Sequence, residues 1–319
     1  MLENSLARIA VSGSLAYDQI MDFPGKFSDH ILPDQIHNLN LSFFLSGSRQ
    51  SFGGTAGNIA YNLSLLQERP TILGVAGSDF LDYKKWLDLK KIDSRKIVNV
   101  ATDRTAAAYI ITDKVDNQIA AFYPGPLPPR YARRAAESLK NIELAIVAPD
   151  DKKRMLDYIA VYKKNHIPYI FDPGQALIAF SLAELRQAIY GARILIGNDY
   201  EIKLILDKLG LSLSKLVMMV EILVITKGSA GSDLYRGAEK ISVKAAKPKN
   251  VSDPTGAGDA YRAGLIKGLI KGYNLKTCGQ LGALAAVYTV ERFGTQTHRF
   301  TLSEFRKRYQ DNFKEKLVI

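Results

Sequence analysis

The sequence predicts an α/β protein, a doubly wound and mostly parallel sheet flanked by helices, with a small β-sheet lid. Two observations predict the core. Short apolar runs alternate with segments of helical period along most of the chain, the pattern of parallel strands joined by crossover helices. Polar groups recur at the ends of those runs, where open parallel sheets bind ligands. A third observation predicts the lid: β-prone stretches interrupt the alternation in two places.

Residues 9–15 form a short apolar run that ends in small residues and then Asp18, as expected of a buried first strand delivering a carboxylate at its end. Asp18 is a candidate substrate residue; a strand-ending turn aspartate reads the same way. From 36 to 51 the chain alternates loosely between apolar and polar residues without helix caps, and strand is expected there. It leads into Ser51-Phe52-Gly53-Gly54-Thr55-Ala56-Gly57-Asn58, after which Ile59, Ala60, Leu63 and Leu66 give a helical period. The glycines make a tight turn, and Asn58 could point its amide at a ligand hydroxyl. A glycine-rich helix start without a ligand looks the same.

Residues 71–76 read as another core strand, and 79–89 as a helix carrying the single tryptophan, Trp86. Runs at 105–112 and 118–123, separated by Asp113-Lys114-Val115-Asp116-Asn117, suggest a hairpin. With the 36–51 strand it would make the lid. Beyond the rigid Pro124-Gly125-Pro126-Leu127-Pro128-Pro129, strands are expected at 142–148, 167–171, 194–196 and 222–225, then a peripheral hairpin around Arg236-Gly237 and a helix-rich block. The expected division is a core of 1–15, 52–98 and 125–319 and a lid of 16–51 and 99–124.

Asp172, Asn198, Glu201 and Thr226-Lys227-Gly228 fall at those strand ends. The spacing of Asn198 and Glu201 puts both on one face of a helical turn, where they could hold water around Mg²⁺. An N-cap with its capping-box partner fits equally. The segment Asn250-Val251-Ser252-Asp253-Pro254-Thr255-Gly256-Ala257-Gly258-Asp259-Ala260 sets a polar turn, two glycines and a carboxylate directly ahead of an apolar-rich helix at 261–273. Glycines allow close backbone approach, and the first amides of a helix favour an anion, so this is a candidate phosphate cradle. Asp259 stands just past those amides, where it could take a proton from a hydroxyl being phosphorylated. A well-capped strand-to-helix turn is the plainer alternative.

Composition bounds the function classes. Hydrophobic content of 47% and charged content of 24% are ordinary for a soluble globular protein. A net charge of +11 attracts nucleotides, nucleic acids and membrane surfaces alike. The densest basic clusters, Lys152-Lys153-Arg154 and Arg306-Lys307-Arg308, read as solvated helix faces, which argues against a nucleic-acid partner. One cysteine, Cys278, excludes an internal disulfide and a multi-cysteine metal site, fits a reducing cytoplasm, and reads as a buried small hydrophobe. The first residues carry no signal-peptide pattern, and no uncharged apolar stretch approaches the roughly 20 residues that span a bilayer. A cytoplasmic protein without membrane partners is expected. No P-loop or dinucleotide fingerprint occurs, and the four histidines show no metal-ligand spacing.

Three motifs in order, Phe52-Gly53-Gly54-Thr55-Ala56-Gly57-Asn58, Asn198-Asp199-Tyr200-Glu201 and Asp253-Pro254-Thr255-Gly256-Ala257-Gly258-Asp259-Ala260, resemble those of the ribokinase-like (PfkB) family of carbohydrate and nucleoside kinases. The resemblance covers essentially the whole chain. It implies transfer of the γ-phosphoryl group of ATP to a hydroxymethyl group of a sugar or nucleoside. Under it Asp259 is the base and the amides of Gly256, Ala257 and Gly258 are the anion hole. Asn198 and Glu201 would organise Mg²⁺, through water, and phosphate; Thr226, Gly228 and Thr255 would border the nucleotide. Asp18, Gly53, Gly54 and Asn58 would bind the acceptor's hydroxyls. The lid would exclude water on closing, and its aromatic residues Phe122 and Tyr123 would stack on a purine, while Phe43 reads more as lid core. In some relatives the loop near Asp253 binds a monovalent cation such as K⁺, and an exposed lid sheet can serve as a homodimer interface.

Two departures bear on the acceptor. Ala16-Tyr17-Asp18 replaces the Asn-x-Asp common in the family's sugar kinases, while Pro254, Tyr261-Arg262 and Phe122-Tyr123-Pro124-Gly125 look more like its bacterial adenosine-kinase-like members. A nucleoside kinase with adenosine as first acceptor is the expectation. The alternatives are a ribokinase-type kinase of a ribose- or fructose-like sugar and a catalytically idle nucleotide-binding regulator, against which the intact Asp259 argues.

Overall fold

The computed structural model describes residues 9–31, 40–115, 117–128, 139 and 141–317. Residues 36–39 of the expected 36–51 strand, Asp116 of the expected turn and Pro129 lie outside the described residues. Thirteen strands are found among the described residues: β1 (Ile9–Ser12), β2 (Ala16–Asp22), β3 (Gly47–Gly53), β4 (Thr71–Gly77), β5 (Ile97–Val100), β6 (Ala106–Thr112), β7 (Gln118–Tyr123), β8 (Leu144–Val147), β9 (Tyr169–Phe171), β10 (Ile194–Asn198), β11 (Ile222–Thr226), β12 (Ser232–Arg236) and β13 (Glu239–Val243). The described helices of five residues or more, apart from the short 3₁₀ turns, are α1 (Thr55–Leu65), α2 (Leu81–Leu89), α3 (Lys152–Lys164), α4 (Leu182–Ile189), α5 (Asp199–Leu209), α6 (Leu213–Val217), α7 (Ala257–Ile270), α8 (Leu275–Val290) and α9 (Leu302–Phe313).

Nine strands form one sheet in the order β13-β12-β11-β10-β9-β8-β1-β4-β5. Pairing is parallel from β5 through β11, and the hairpin of β12 and β13 adds an antiparallel edge. All four residues of β1 are buried, because both faces of the strand are covered. Its side chains alternate between two hydrophobic layers: Ile9 and Val11 join the one that includes α1, α7 and α8, and Ala10 joins the one that includes α3, α4 and α5. The chain winds from β1 to β4 on one side and returns to β8 on the other. The crevice beyond the carboxyl ends of β1 and β8 is therefore the switch point where such sheets bind ligands.

The other four strands form a separate sheet in the order β3-β2-β6-β7. Here the sequence reading is corrected. The first core strand stops at Ser12, and Asp18 lies inside β2 of the small sheet. Gly13 packs against α1 so closely that a β-carbon there would stand 2.6 Å from Oγ1 of Thr55, and the backbone turns out of the core. The strand expected over 36–51 is β3, Gly47–Gly53; residues 40–46 are not strand. Phe43 packs with Phe23, Phe27 and His30 in an aromatic cluster of the small sheet's loops.

Two further corrections concern helices. The helix expected from residue 261 begins at Ala257, so Asp259 is within its first turn. Its start is set by Gly256 in left-handed backbone at φ 77°, a conformation glycine adopts without strain. The basic clusters are solvated faces only in part: Lys153, Arg306 and Lys307 are exposed as expected, whereas one arginine of each cluster is drawn inward. Arg154 is buried, pairs with both oxygens of Asp150 and donates to the Pro126 carbonyl, while Arg308 pairs with Glu291. Cys278 is buried as expected. No described helix is long and apolar enough to cross a membrane.

Candidate active site

The first turns of α1 and α7 meet at the crevice. Asp253 sets up the turn before α7: its Oδ1 accepts from the Thr255 amide at 2.9 Å and its Oδ2 from the Gly294 amide at 3.1 Å. The Ala257 amide donates to the Pro254 carbonyl at 3.2 Å and closes the turn, while the Gly258 amide opens the helix, and a free first-turn amide with the helix dipole favours an anion. Gly258 is exposed. A β-carbon at Gly258 would stand 2.8 Å from Nη1 of Arg262, so the guanidinium flanks the amides from one turn further along the helix.

Arg262 is held by Asp172 through paired bonds from Nε and Nη2. Burial opposes its charge, and Asp172, Asp259 and Glu201 together more than offset this, raising its pKa. Sequence reading placed Asp172 at a strand end but missed its partner. The signal available was spacing: Arg262 is three residues from Asp259, hence on the same helix face.

Asp259 keeps part of its surface open to the crevice. Burial pushes its pKa up to about 6; the Arg262 charge and the Asn58 amide act in the opposite direction, and Asp172 and Asp18 raise it further. Asn58 is buried, and its Nδ2 donates to Oδ2 of Asp259 at 2.9 Å. Its amide thus touches the carboxylate directly.

Asp18 approaches from the small sheet. Burial and the charge of Asp253 push its pKa up to about 6. Register puts Asp18 beside Ala108, and Ala108 beside Phe122, so the three share one face of the sheet. Tyr123 lies on the opposite face in register with Ala107, and its hydroxyl bonds to Asp103. The structure therefore groups Phe122 with Asp18 and places Tyr123 apart. Gly53 and Gly54 make room for this arrangement. A β-carbon at Gly53 would collide with the Asp18 carboxylate, and one at Gly54, where φ is 84°, would stand 2.6 Å from the Ala16 amide nitrogen.

Asn198 and Glu201 form a capping box on α5: Asn198 Oδ1 accepts from the Glu201 amide at 2.7 Å and Glu201 Oε2 from the Asn198 amide at 2.8 Å. Glu201 Oε1 lies outside the cap. Burial raises the Glu201 pKa, with the Asn198 amide opposing and Asp172 reinforcing it. Thr226 ends β11 beside Asn198 in register, and Gly228 at φ 54° faces open space. Among the described residues no three His, Cys, Asp or Glu side chains converge to hold a metal.

Comparison with known proteins identifies the family. A sequence model described as pfkB family carbohydrate kinase matches residues 28–301. A nucleoside kinase of Methanothermobacter thermautotrophicus is 34% identical over 86% of this chain and 90% of its own length, and one of Methanocaldococcus jannaschii is 32% identical over 84% and 91%. The solved structure of Burkholderia thailandensis nucleoside kinase in complex with inosine superposes with a TM-score of 0.85 at 35% identity, covering 97% of this chain and 99% of that one; the same protein has been solved in complex with ADP-inosine. With a ribokinase-like fold, the chain belongs to the pfkB carbohydrate kinase family, phosphotransferases that act on an alcohol group.

Proposed function

We propose that this protein is an ATP-dependent nucleoside kinase that phosphorylates a hydroxymethyl group, with Asp259 as base. The observation that carries the reading is the meeting of one carboxylate, Asp259, with the α7 amides and the flanking Arg262, facing an acceptor wall made by Asp18. Asp259 takes the proton of the attacking hydroxyl. The amides of Gly256 and Gly258, with Arg262, receive the charge that develops on the transferred group; the Ala257 amide joins them by giving up its bond to the Pro254 carbonyl. Phosphoryl transfer depends mainly on such positioning and charge neutralisation. Asp18 accepts hydrogen bonds from the acceptor's hydroxyls, and Phe122 on the same face offers a ring to a base.

Mg²⁺ suits Glu201, whose Oε1 is outside the cap, with water and phosphate completing its shell; the ion would neutralise phosphate charge. Asn198 serves that site by orienting Glu201. Thr226, Gly228 and Thr255 border the nucleotide. Asp253, both of whose oxygens accept from backbone amides, would contribute to a K⁺ site by shaping the two loops it joins. The exposed Tyr109 and Ile119 of the small sheet suit a second copy of the chain, and the protein works in the cytoplasm, where ATP is available.

The named relatives, and the complex of one of them with inosine, support a nucleoside acceptor. Adenosine and inosine are the first acceptors to test. The deciding experiment is a phosphoryl-transfer assay with ATP and a panel of nucleosides and sugars. Turnover of a nucleoside at a kcat/KM well above that of ribose or fructose is expected; the reverse order would make it a sugar kinase, and no turnover of any acceptor would sink the catalytic reading.

A further inference from the structure

Asp259 lies at the end of a chain of hydrogen bonds, buried in its middle and half-buried at its two ends, that all run in one direction. Trp86, on α2, donates from Nε1 to Oε1 of Gln296 at 2.9 Å. Gln296 then presents its amide nitrogen, which donates to Oδ1 of Asn58 at 3.1 Å and to the Tyr83 hydroxyl at 2.7 Å. The Tyr83 proton goes to the Gly53 carbonyl at 2.7 Å. Asn58, with its oxygen occupied, is left with Nδ2 to offer to Asp259.

An amide side chain can be turned end for end, exchanging donor for acceptor, but an indole N–H is a donor only. The polarity fixed at Trp86 is therefore inherited by Gln296, then by Asn58, and arrives at the carboxylate as an N–H. Space for the relay is built into α1: a β-carbon at Gly57 would collide with the Tyr83 hydroxyl and stand 3.0 Å from Nε2 of Gln296. Asn58, Tyr83 and Gln296 are all buried, so water is a poor substitute for any of these partners.

We propose that Trp86 and Gln296 are positioning residues for phosphoryl transfer: the donor-only indole orients the Gln296 and Asn58 amides so that Asp259 always receives an N–H and is held as a correctly turned base. The proposal rests on the reading of Asp259 as the base. An N–H donated to a carboxylate favours its ionised form. The other charges facing Asp259 are Arg262 on its own helix, Asp172 after β9 and Asp18 on β2. All three stay in place when the relay is cut, so the acid limb of the rate reports the Asn58 contact.

The test measures kcat against pH, with ATP and the best acceptor, for the parent and for Trp86→Phe, Gln296→Met and Asp259→Asn, alongside thermal melting. Trp86→Phe and Gln296→Met should each lower kcat about tenfold, keep the acceptor KM within about twofold, and move the acid limb up by about one pH unit. A folded variant that keeps the parental limb overturns the relay, whatever its kcat or Tm. If one variant fails to fold, the other carries the test. Asp259→Asn at parental rate would overturn the base and the relay together; an inactive Asp259→Asn beside unshifted limbs would overturn the relay alone.

Discussion

Gly53 lies directly against the carboxylate of Asp18, so close that a β-carbon at residue 53 would collide with Oδ2. Two residues on neighbouring strands, β3 and β2, thus share one space. Gly53→Ala should displace the Asp18 carboxylate from the acceptor, lowering kcat/KM on the order of 10²-fold, mostly through KM. Steady-state kinetics with acceptor varied at saturating ATP checks this; an unchanged KM would separate Asp18 from acceptor binding.

Asp259 ties activity and stability to pH with opposite signs. Its pKa in the folded protein, about 6, lies above the usual carboxyl value, so folding favours the protonated form. The stability this contributes is present below about pH 4 and is lost as pH rises through 6. The base works only when ionised, so kcat should fall as pH drops below about 6. Asp259→Asn should lower turnover by about 10²–10⁴-fold yet raise the melting temperature at pH 7.5, where the poorly solvated charge costs about 3 kcal/mol. That gain should shrink between pH 6 and pH 4.

Arg262 is not interchangeable with lysine. The paired bonds to Asp172 need the planar fork of a guanidinium. Arg262→Lys keeps the charge but loses that fixed orientation beside Gly258. We expect kcat to drop about tenfold or more with the acceptor KM little changed, measured in the same assay.

Glu68 and Lys267 form a buried ion pair that joins the segment after α1 to α7, well below the crevice. Glu68→Gln leaves the lysine charge without its partner and should destabilise the protein by about 3 kcal/mol in urea unfolding. Turnover at 25 °C by the folded enzyme should stay within about twofold of the parent.

Glu201 has two separable duties. Glu201→Gln retains an oxygen for the capping box and should cost less than about 1 kcal/mol of stability. If the free carboxylate oxygen serves the metal, the Mg²⁺ concentration for half-maximal rate should rise about tenfold. Titration of Mg²⁺ at fixed ATP measures it.

The core was legible in the sequence because its strands are buried on both faces and read as continuous apolar runs, as at 194–196 and 222–225. The cradle was legible because glycines, a turn and a carboxylate lie within eleven consecutive residues. What sequence reading missed depends on distance along the chain. Asp172 and Arg262 are 90 residues apart, and Asn58 meets Gln296 across 238, so neither pairing leaves a local pattern. Strand β2 was missed because it lies in register between β3 and β6, and that placement is decided by partners far away in sequence.

The placement of Asp18 on β2 has a consequence for how the enzyme would choose its moment. A carboxylate at the end of a core strand would be a fixed post. On the small sheet, it travels with whatever that sheet does, and Phe122 travels with it. Were that sheet to close over the crevice, occupancy by the acceptor and closure would be one equilibrium, each driving the other by the same free energy. An acceptor lacking the hydroxyls that Asp18 holds would fail twice, once in affinity and once in shutting out the water that competes for the phosphoryl group.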